Sequence, residues 1–462
     1  MPSRRDVLAA LAAVGIAGCT GDPGIGGTPS RTPGRTPTAT ARTGTDAGTD
    51  APTGSPEASP SGTPAEPAGP AVRWARDLGG SVRHRPTVHD GTLYVAGGTN
   101  ANAPPSDREY LRPAAGENVY ALDLAGEERW RHEARGGVGG RPRVVADGVH
   151  AVVGWDAGTH GVDQRLARVV DGERRWATDV ADGYLSILGV HDGTTFVGTG
   201  DDALGLSGET VHAVGSGGSE RWRTESGDAY DGTVHGGTLY VPYGHRRTTA
   251  LDVETGAERW GRVMEPAGDR LRVFGDTLYL GATEQDADGD YPLVAVDAAA
   301  GGERWRYAGP GGDEGPFVPA GAVVGDLVYG TGYGGLLFAV DPATGEEVWR
   351  YPVGAETRDP PALAGGTVYV PAVDGRVHAV DPDGGRRWVR TVGEHVVGLR
   401  ANEAGVVAVT RGPEGSPHGL TALSHGGTER WSFAHPGDLT RAAVVGAEAY
   451  VGTDGGFVVA LG

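Results

Sequence analysis

Three aspartates at alternate positions form the metal-binding pattern that stands out in the sequence. Asp286, Asp288 and Asp290 are two residues apart, as are the first three ligands of calcium-binding loops. The segment lacks the glycine at the sixth position and the glutamate at the twelfth that complete such a loop. In a chain with 60 acidic residues, this cluster is also typical of a solvated loop. Calcium and a solvated acidic loop therefore remain alternatives here.

The sequence contains none of the common short catalytic signatures. The 14 histidines show no His-x-His or His-Glu-x-x-His spacing, which argues against a local zinc or copper site. There is no Cys-x-x-Cys-His for haem attachment and no Gly-x-Ser-x-Gly nucleophile elbow. We therefore assign no catalytic residue.

The charge balance limits the classes of partner. The net charge is −20, and all 40 basic residues are arginine, since the chain has no lysine. Such acidity argues against nucleic-acid binding, because phosphates require a basic surface. An acidic, lysine-free surface suits concentrated salt, where screening removes most of the self-repulsion. Together with the excess of arginine, glycine and alanine that a GC-rich genome produces, it indicates a haloarchaeal protein.

The first residues have the features of an export signal. Arg4 and Arg5 precede an apolar run over residues 7–17, an arrangement that resembles a twin-arginine signal. This run is too short to span a bilayer, which needs roughly 20 residues. It is followed by Cys19, the single cysteine of the chain, in a sequence that resembles a lipobox. We therefore predict a signal peptide over residues 1–19, lipidation of Cys19 and anchoring to the extracytoplasmic face of the membrane. The alternative is an apolar start with an incidental cysteine.

Composition divides the rest of the chain into two parts. Residues 20–70 are mainly Thr, Pro, Ser, Gly and Ala, which cannot bury enough apolar surface to offset the entropy of ordering. We expect a disordered tether there. The remaining residues, 71–462, contain short β-rich runs separated by Asp and Gly turns, with no helical periodicity.

A tryptophan repeat organises residues 71–462. The repeated tryptophans mostly end a Gly-Glu-x-x-Trp or similar phrase, and most of these phrases follow an apolar strand that closes on Asp and a tight turn. Their spacing of 38 to 56 residues is typical of propeller blades. We expect each tryptophan to be buried between blades. The repeated residues are Trp74, Trp130, Trp176, Trp222, Trp260, Trp305, Trp349, Trp388 and Trp431.

This pattern resembles the pyrroloquinoline-quinone-like (PQQ-like) repeat, the blade unit shared by quinoprotein alcohol dehydrogenases and BamB-type assembly lipoproteins. The resemblance implies an all-β propeller of four-stranded blades. Nine tryptophan strands indicate nine blades, whereas the family more often has eight, so both numbers stay open. Because the chain ends on a third strand, we expect the strand of Trp74 to complete the last blade and close the ring.

Function is expected on one face of the disc. The loops between the second and third strands of the blades are the varied ones, and binding residues concentrate on loops held by a rigid scaffold. Trp155 lies on such a loop and is the one tryptophan outside the repeat. The alternative is ordinary loop variation. The candidate binding residues are Trp155, Asp156, Tyr243, Arg246, Arg247, Tyr333, Asp374 and Arg411.

The resemblance leaves two functions to compare. One is a monomeric, non-catalytic binding or scaffold module, without a cofactor, for a protein or surface polymer. The alternative is a dehydrogenase dependent on PQQ and Ca²⁺. Such enzymes hold Ca²⁺ with Glu, Asn or Asp, carry a catalytic Asp and often have a neighbouring cysteine pair. This chain has one cysteine and four asparagines, and no catalytic residue of the family maps onto a numbered position. We therefore favour binding.

Overall fold

The computed structural model describes residues 71–97, 118–134, 138–156, 162–181, 184–200, 210–227, 229–243, 247–263, 270–281, 292–309, 319–332, 334–413 and 417–462. Within them, 36 strands form nine antiparallel four-stranded sheets, which are the blades of a propeller. The expected all-β propeller is confirmed, with nine blades and not eight. Within these ranges, no helix is long and apolar enough to cross a membrane.

The first five blades follow one another along the chain, and each contributes four consecutive strands. Blade 1 contains β2 (Thr87–His89), β3 (Thr92–Ala96), β4 (Asn118–Asp123) and β5 (Glu128–Glu133). Blade 2 contains β6 (Arg143–Val145), β7 (Gly148–Asp156), β8 (Val162–Val170) and β9 (Glu173–Thr178). Blade 3 contains β10 (Tyr184–His191), β11 (Thr194–Gly200), β12 (Thr210–Val214) and β13 (Glu220–Glu225). Blade 4 contains β14 (Thr233–His235), β15 (Thr238–Tyr243), β16 (Arg247–Asp252) and β17 (Glu258–Val263). Blade 5 contains β18 (Arg270–Phe274), β19 (Thr277–Gly281), β20 (Leu293–Asp297) and β21 (Glu303–Tyr307).

The last four blades include the closure of the ring. Blade 6 contains β22 (Pro319–Val324), β23 (Val328–Gly332), β24 (Leu336–Val340) and β25 (Glu347–Pro352). Blade 7 contains β26 (Ala362–Ala364), β27 (Thr367–Pro371), β28 (Arg376–Val380) and β29 (Arg386–Thr391). Blade 8 contains β30 (His395–Asn402), β31 (Gly405–Arg411), β32 (His418–Leu423) and β33 (Glu429–His435). Blade 9 contains β34 (Ala443–Val445), β35 (Glu448–Gly452), β36 (Phe457–Leu461) and, as its outer strand, β1 (Val72–Asp77).

Ring closure joins the two ends of the domain in one sheet. Strand β1 pairs antiparallel with β36, with Trp74 opposite Ala460 and Ala75 opposite Val459. This pairing covers the edge that β36 would otherwise present to other chains. The prediction that the strand of Trp74 closes the ring is therefore confirmed.

The hydrophobic core lies between neighbouring blades. Leu93 and Leu122 of blade 1, for example, belong to the same buried cluster as Val458 of blade 9. On the outer strands, Trp305 and Trp388 are buried, whereas the seven other repeated tryptophans are half-buried. The blade sheets therefore pack face to face. The expectation that each repeated tryptophan is buried is correct for two and wrong for seven, because these side chains cover the outer edge of the core between two blades.

Antiparallel pairing gives the disc two different faces. We call the face with the loops between second and third strands the loop face; the chain also enters each first strand from this side. The opposite, turn face has the tight turns. There, Arg259 and the backbone N–H groups of Glu254 and Thr255 hydrogen-bond to Asp252 and lower its pKa to about 2. The turn face is therefore built from self-contained turns.

Candidate functional site

Four of the predicted binding residues have described side chains, and they have different surroundings. Tyr243 is buried at the end of β15, and burial raises the pKa of its hydroxyl to about 12. Arg247 donates hydrogen bonds to both carboxylate oxygens of Glu258, at 2.7 and 2.8 Å. Arg411 is exposed at the end of β31. Tyr243 and Arg247 thus support the scaffold, whereas Arg411 is open to a partner.

Asp374 lies in the loop-face turn of blade 7 and accepts a hydrogen bond from Nε of Arg376 at 2.5 Å. Trp155 and Asp156 end strand β7, next to the loop face, but their side chains are outside the description. Several predicted residues are also outside the described residues: Arg4, Arg5, Cys19, Arg246, Asp286, Asp288, Asp290 and Tyr333. Within the described ranges, no group of three or more His, Cys, Asp or Glu residues could hold a metal ion.

Arginines at repeated positions on the first strands form a cluster that the sequence did not indicate. Arg143, Arg272 and Arg400 occupy one register position, since each lies opposite the third residue of its second strand. Three more arginines stand two residues before that position in blades 2, 1 and 9. Side chains two residues apart on a strand point to the same side. The arginine cluster thus consists of Arg85, Arg141, Arg143, Arg272, Arg400 and Arg441.

The arginine cluster lies at the centre of the ring. First strands of neighbouring blades contact each other, as β2 does with β6 and β34, and they enclose a central channel. The charges of Arg85, Arg272 and Arg441 all act on Arg400, although these four residues come from blades 1, 5, 8 and 9. Because the chain enters each first strand from the loop face, Arg85, Arg141 and Arg441 lie toward that end of the channel. The cluster therefore adjoins the predicted binding face.

Hydrogen bonds hold several of these guanidinium groups in place. Arg141 of blade 2 donates from Nε to Oγ1 of Thr87 in blade 1 at 3.1 Å. Arg143 donates from Nη2 to the carbonyl oxygen of Ile187 at 3.2 Å. Arg400 donates from Nη1 to the carbonyl oxygen of Leu399 at 2.7 Å. These partners are neutral and orient the cations, while the charge of Asp359 partly offsets the repulsion at Arg400.

One carboxylate is paired with the arginine cluster within the part of the chain that the structure describes. Nη2 of Arg441 lies 2.5 Å from Oδ1 of Asp359, which precedes β26. The side chain of Arg441 passes close to Gly398, where an added Cβ would lie 3.3 Å from its Cγ. The missing side chain at Gly398 therefore leaves a path for Arg441 across blade 8. Five arginines of the cluster form no salt bridge with a described residue.

The electrostatics reflect this uncompensated charge. Burial, followed by repulsion from Arg141 and Arg441, lowers the pKa of Arg85 to about 10. Burial and the charges of Arg85 and Arg441 likewise lower the pKa of Arg400 to about 10. Both groups still carry a positive charge at neutral pH. The channel is thus locally basic in a chain whose net charge is −20.

Arginines elsewhere on the ring are arranged differently. Arg304 of blade 5 lies 2.8 Å from a carboxylate oxygen of Asp276 and 2.7 Å from one of Asp297. Arg259 similarly lies 2.7 Å from Asp252. Other described arginines, such as Arg129 and Arg390, hydrogen-bond to neutral acceptors. The arginine cluster differs from both groups because its cations converge on one channel.

A cavity of about 410 Å³ opens beside the arginine cluster. Three arginines line it, Arg85, Arg141 and Arg400, and Thr87 and Asn402 add side-chain hydrogen-bonding groups. Apolar walls come from residues 442–445 of blade 9. A volume of this size accommodates a small molecule. The cavity therefore has the volume for a small molecule, three arginine side chains to bind it and an apolar wall.

The cations of this cavity do not fit Ca²⁺, the metal that quinoprotein dehydrogenases use. Ca²⁺ requires six to eight oxygen ligands, several of them carboxylates. In the described part of the channel, Asp359 is the carboxylate paired with the arginine cluster, and Arg441 already neutralises it. Like-charge repulsion from the other arginines would further disfavour a divalent cation. This end of the channel is therefore suited to anions.

Comparison with known proteins places this fold in a family. The sequence matches the family described as outer membrane protein assembly factor BamB in four overlapping segments, residues 115–261, 160–315, 207–357 and 289–462. The chain belongs to this family, because the matches together span most of its length. No curated protein sequence matches the chain significantly.

Several solved structures are similar to this chain at low sequence identity. Sqt1 of Saccharomyces cerevisiae is 11% identical, with a TM-score of 0.51, 85% of this chain and 98% of that chain covered. BamB from Moraxella catarrhalis is 19% identical, with a TM-score of 0.49 and coverage of 69% and 92%. Quinohemoprotein alcohol dehydrogenase from Comamonas testosteroni is 15% identical, with a TM-score of 0.48 and coverage of 84% and 76%. At such identity the likeness to Sqt1 shows the propeller fold alone.

Proposed function

We propose that this chain is a lipid-anchored, non-catalytic propeller that binds a protein or a surface polymer outside the cell membrane. The observation that carries the proposal is the membership in the BamB family over residues 115–462, because that family includes an assembly factor built on this fold. A closed ring presents its loops rigidly, which favours recognition by a fixed surface. Cys19, Arg4 and Arg5 support the export and anchoring part of the proposal.

The partner binds the loop face, where Arg411 is exposed and Asp374 is part of a turn. The test measures binding of the purified protein to isolated cell envelopes in molar salt. Arg411→Glu reverses a charge on the loop face, whereas Arg430→Glu makes the same change near the turn face, at the start of β33. We expect Arg411→Glu to weaken binding by about tenfold and Arg430→Glu to leave it unchanged. Equal effects of the two substitutions would contradict a loop-face partner.

Anchoring is tested separately with Cys19→Ser. Removal of the only thiol prevents lipidation, so the exported protein should appear in the medium instead of the membrane fraction. The double substitution Arg4→Lys and Arg5→Lys serves as the matched control for export and should keep the protein inside the cell. A Cys19→Ser protein that stays with the membrane after a high-salt wash would contradict lipid anchoring.

A further inference from the structure

We propose that the arginine cluster is a binding site for a small polyanion that carries two or more carboxylate, phosphate or sulfate charges. The ligand would occupy the cavity of about 410 Å³ lined by Arg85, Arg141 and Arg400. This inference rests on the cluster itself and not on the proposed partner of the loop face, so either proposal can fail alone.

The first argument is uncompensated charge. Six arginines from five blades converge on the channel, and one carboxylate, that of Asp359, pairs with them among the described residues. Four of the six arginines are half-buried, and repulsion between cations held this close destabilises the ring unless an anion balances it. In a chain with 60 acidic residues, carboxylates for this purpose are plentiful, as the pairs of Arg304 demonstrate. Because the described residues pair one carboxylate with the arginine cluster, we infer that a ligand supplies the remaining compensating charge.

The second argument is preorganisation. Arg141 and Arg143 are each tied to a neighbouring blade, through Thr87 and the carbonyl oxygen of Ile187. Neutral acceptors of this kind fix the side chains but leave further N–H groups for a ligand, since a guanidinium group has five donors. Planar guanidinium groups bind carboxylate and phosphate oxygens in bidentate fashion. The site thus has its donors in place before the ligand arrives.

The third argument is the number of cations in one volume. A single chloride ion would neutralise one charge, whereas the cavity is lined by three arginines and is large enough for a small organic anion. Thr87, whose Oγ1 accepts from Arg141, and Asn402, whose Nδ2 donates to Gly446, each keep a further donor hydrogen in the same wall. A multivalent oxyanion meets both the charge and the volume, so we expect it to be preferred over monovalent anions.

The full-length protein is titrated separately with sulfate, phosphate and citrate. Sodium chloride keeps the ionic strength the same in all three titrations. Calorimetry should give saturable binding, and thermal unfolding should move to higher temperature with each of the bound anions. Sodium chloride alone, at the same ionic strength, gives the contribution of screening. Citrate that binds while sulfate and phosphate do not would assign the site to organic carboxylates; the opposite order would assign it to tetrahedral oxyanions.

Arg400→Gln is the test variant, and Arg175→Gln, an exposed arginine on β9, is the matched control. We expect Arg400→Gln to weaken anion binding by about tenfold or more, and Arg175→Gln to leave it unchanged. Without a polyanion, Arg400→Gln should unfold at the same or a higher temperature than the unmodified protein, because one repelling cation is removed. Unsaturable binding, or equal affinity of Arg400→Gln and Arg175→Gln for every anion, would overturn the proposal.

Discussion

Trp388 of blade 7 donates a hydrogen bond from its indole Nε1–H to the carbonyl oxygen of His425 in blade 8, at 2.7 Å. Trp388 lies on the outer strand of its blade. Equivalent bonds join Trp349 to Pro382 and Trp305 to Pro342. The contact is therefore a repeated latch, in which one blade donates to the turn between the third and fourth strands of the next.

The latch is interrupted where the ring closes. Trp431 of blade 8 faces blade 9. The outer strand of blade 9, β1, comes from the other end of the domain, so no turn connects β36 to β1 and blade 9 lacks the turn that would accept this hydrogen bond. Nε1 of Trp431 is buried and has no hydrogen-bond partner among the described residues. Trp388, which makes the latch, and Trp431, which does not, can therefore be compared within one protein.

The first prediction concerns the latch. Trp388→Phe keeps a ring but removes the N–H group and leaves the carbonyl oxygen of His425 without this donor, which should reduce the free energy of unfolding by about 1 to 3 kcal/mol. Trp431→Phe removes an N–H group that has no described acceptor, so its loss should be smaller. Urea unfolding of the two variants measures the difference. Equal losses would show that the hydrogen bond adds nothing to the packing of the ring.

The second prediction concerns the glycine beneath the indole. Gly427 has φ of +78°, and an added Cβ would lie 2.7 Å from Cδ2 of Trp388. Gly427→Ala should therefore destabilise the protein by on the order of 2 to 4 kcal/mol, through backbone strain and steric overlap. Gly366→Ala is the matched control, because φ there is +64° and no atom lies within 4 Å of the added Cβ. Urea midpoints should fall further for Gly427→Ala; equal shifts would mean that only the backbone matters.

The third prediction tests ring closure and its register. Ala75 lies opposite Val459, so cysteines at these positions should form a disulfide in a Cys19→Ser background. Because the bond closes almost the whole domain into a loop, it should raise the free energy of unfolding by on the order of 4 kcal/mol. Gel mobility without reductant and urea midpoints measure both effects. The pair Ala75→Cys and Phe457→Cys, which is out of register, should remain reduced; its ready oxidation would contradict the observed pairing.

The fourth prediction is a pH dependence. Burial, with a smaller contribution from Arg376, lowers the pKa of His378 to about 4, and its Nδ1 lies 3.0 Å from the hydroxyl of Tyr351. In the unfolded chain this histidine titrates near its ordinary pKa of 6.5. Between pH 6.5 and about 4 the unfolded state therefore binds the additional proton, and the free energy of unfolding falls as the pH is lowered.

Urea unfolding at several pH values checks this dependence. His378→Gln should show a shallower fall between pH 6.5 and 4 than the unmodified protein and the same behaviour above pH 7. Buried His150, whose pKa burial also lowers, should account for part of the remaining slope. Identical slopes in the two proteins would mean that His378 is not protonated preferentially in the unfolded state.

The tryptophan repeat predicted the propeller and its closure, while eight and nine blades both stayed open until the structure showed nine. Each Trp phrase marks one outer strand, so nine phrases count nine strands even where the loops differ, and the strand of Trp74 had no other partner. The arginine cluster could not be predicted in this way. Arg141 and Arg400 are 259 positions apart (400 − 141) in the sequence and line one cavity only because the ring closes.

A partial signal was nevertheless present in the sequence. Arg85 and Arg141 each precede a proline at the start of a first strand, and Arg143 follows at the alternate position that faces the same side. The net charge of −20 concealed this pattern, because a global sum gives no information on a local concentration of cations. The loop-face residues were chosen by loop variation, a criterion that does not distinguish exposed Arg411 from buried Tyr243.

The measurement that most directly tests the central claim, binding without catalysis, is a dye-linked alcohol oxidation assay of the protein in molar salt with PQQ and Ca²⁺, alongside thermal unfolding. The account predicts no alcohol-dependent dye reduction. Any stabilisation by PQQ should not require Ca²⁺ and should be lost in Arg400→Gln, because PQQ carries carboxylates that the arginine cluster can bind. Alcohol-dependent turnover that requires both PQQ and Ca²⁺ would contradict the account and make the protein a quinoprotein dehydrogenase.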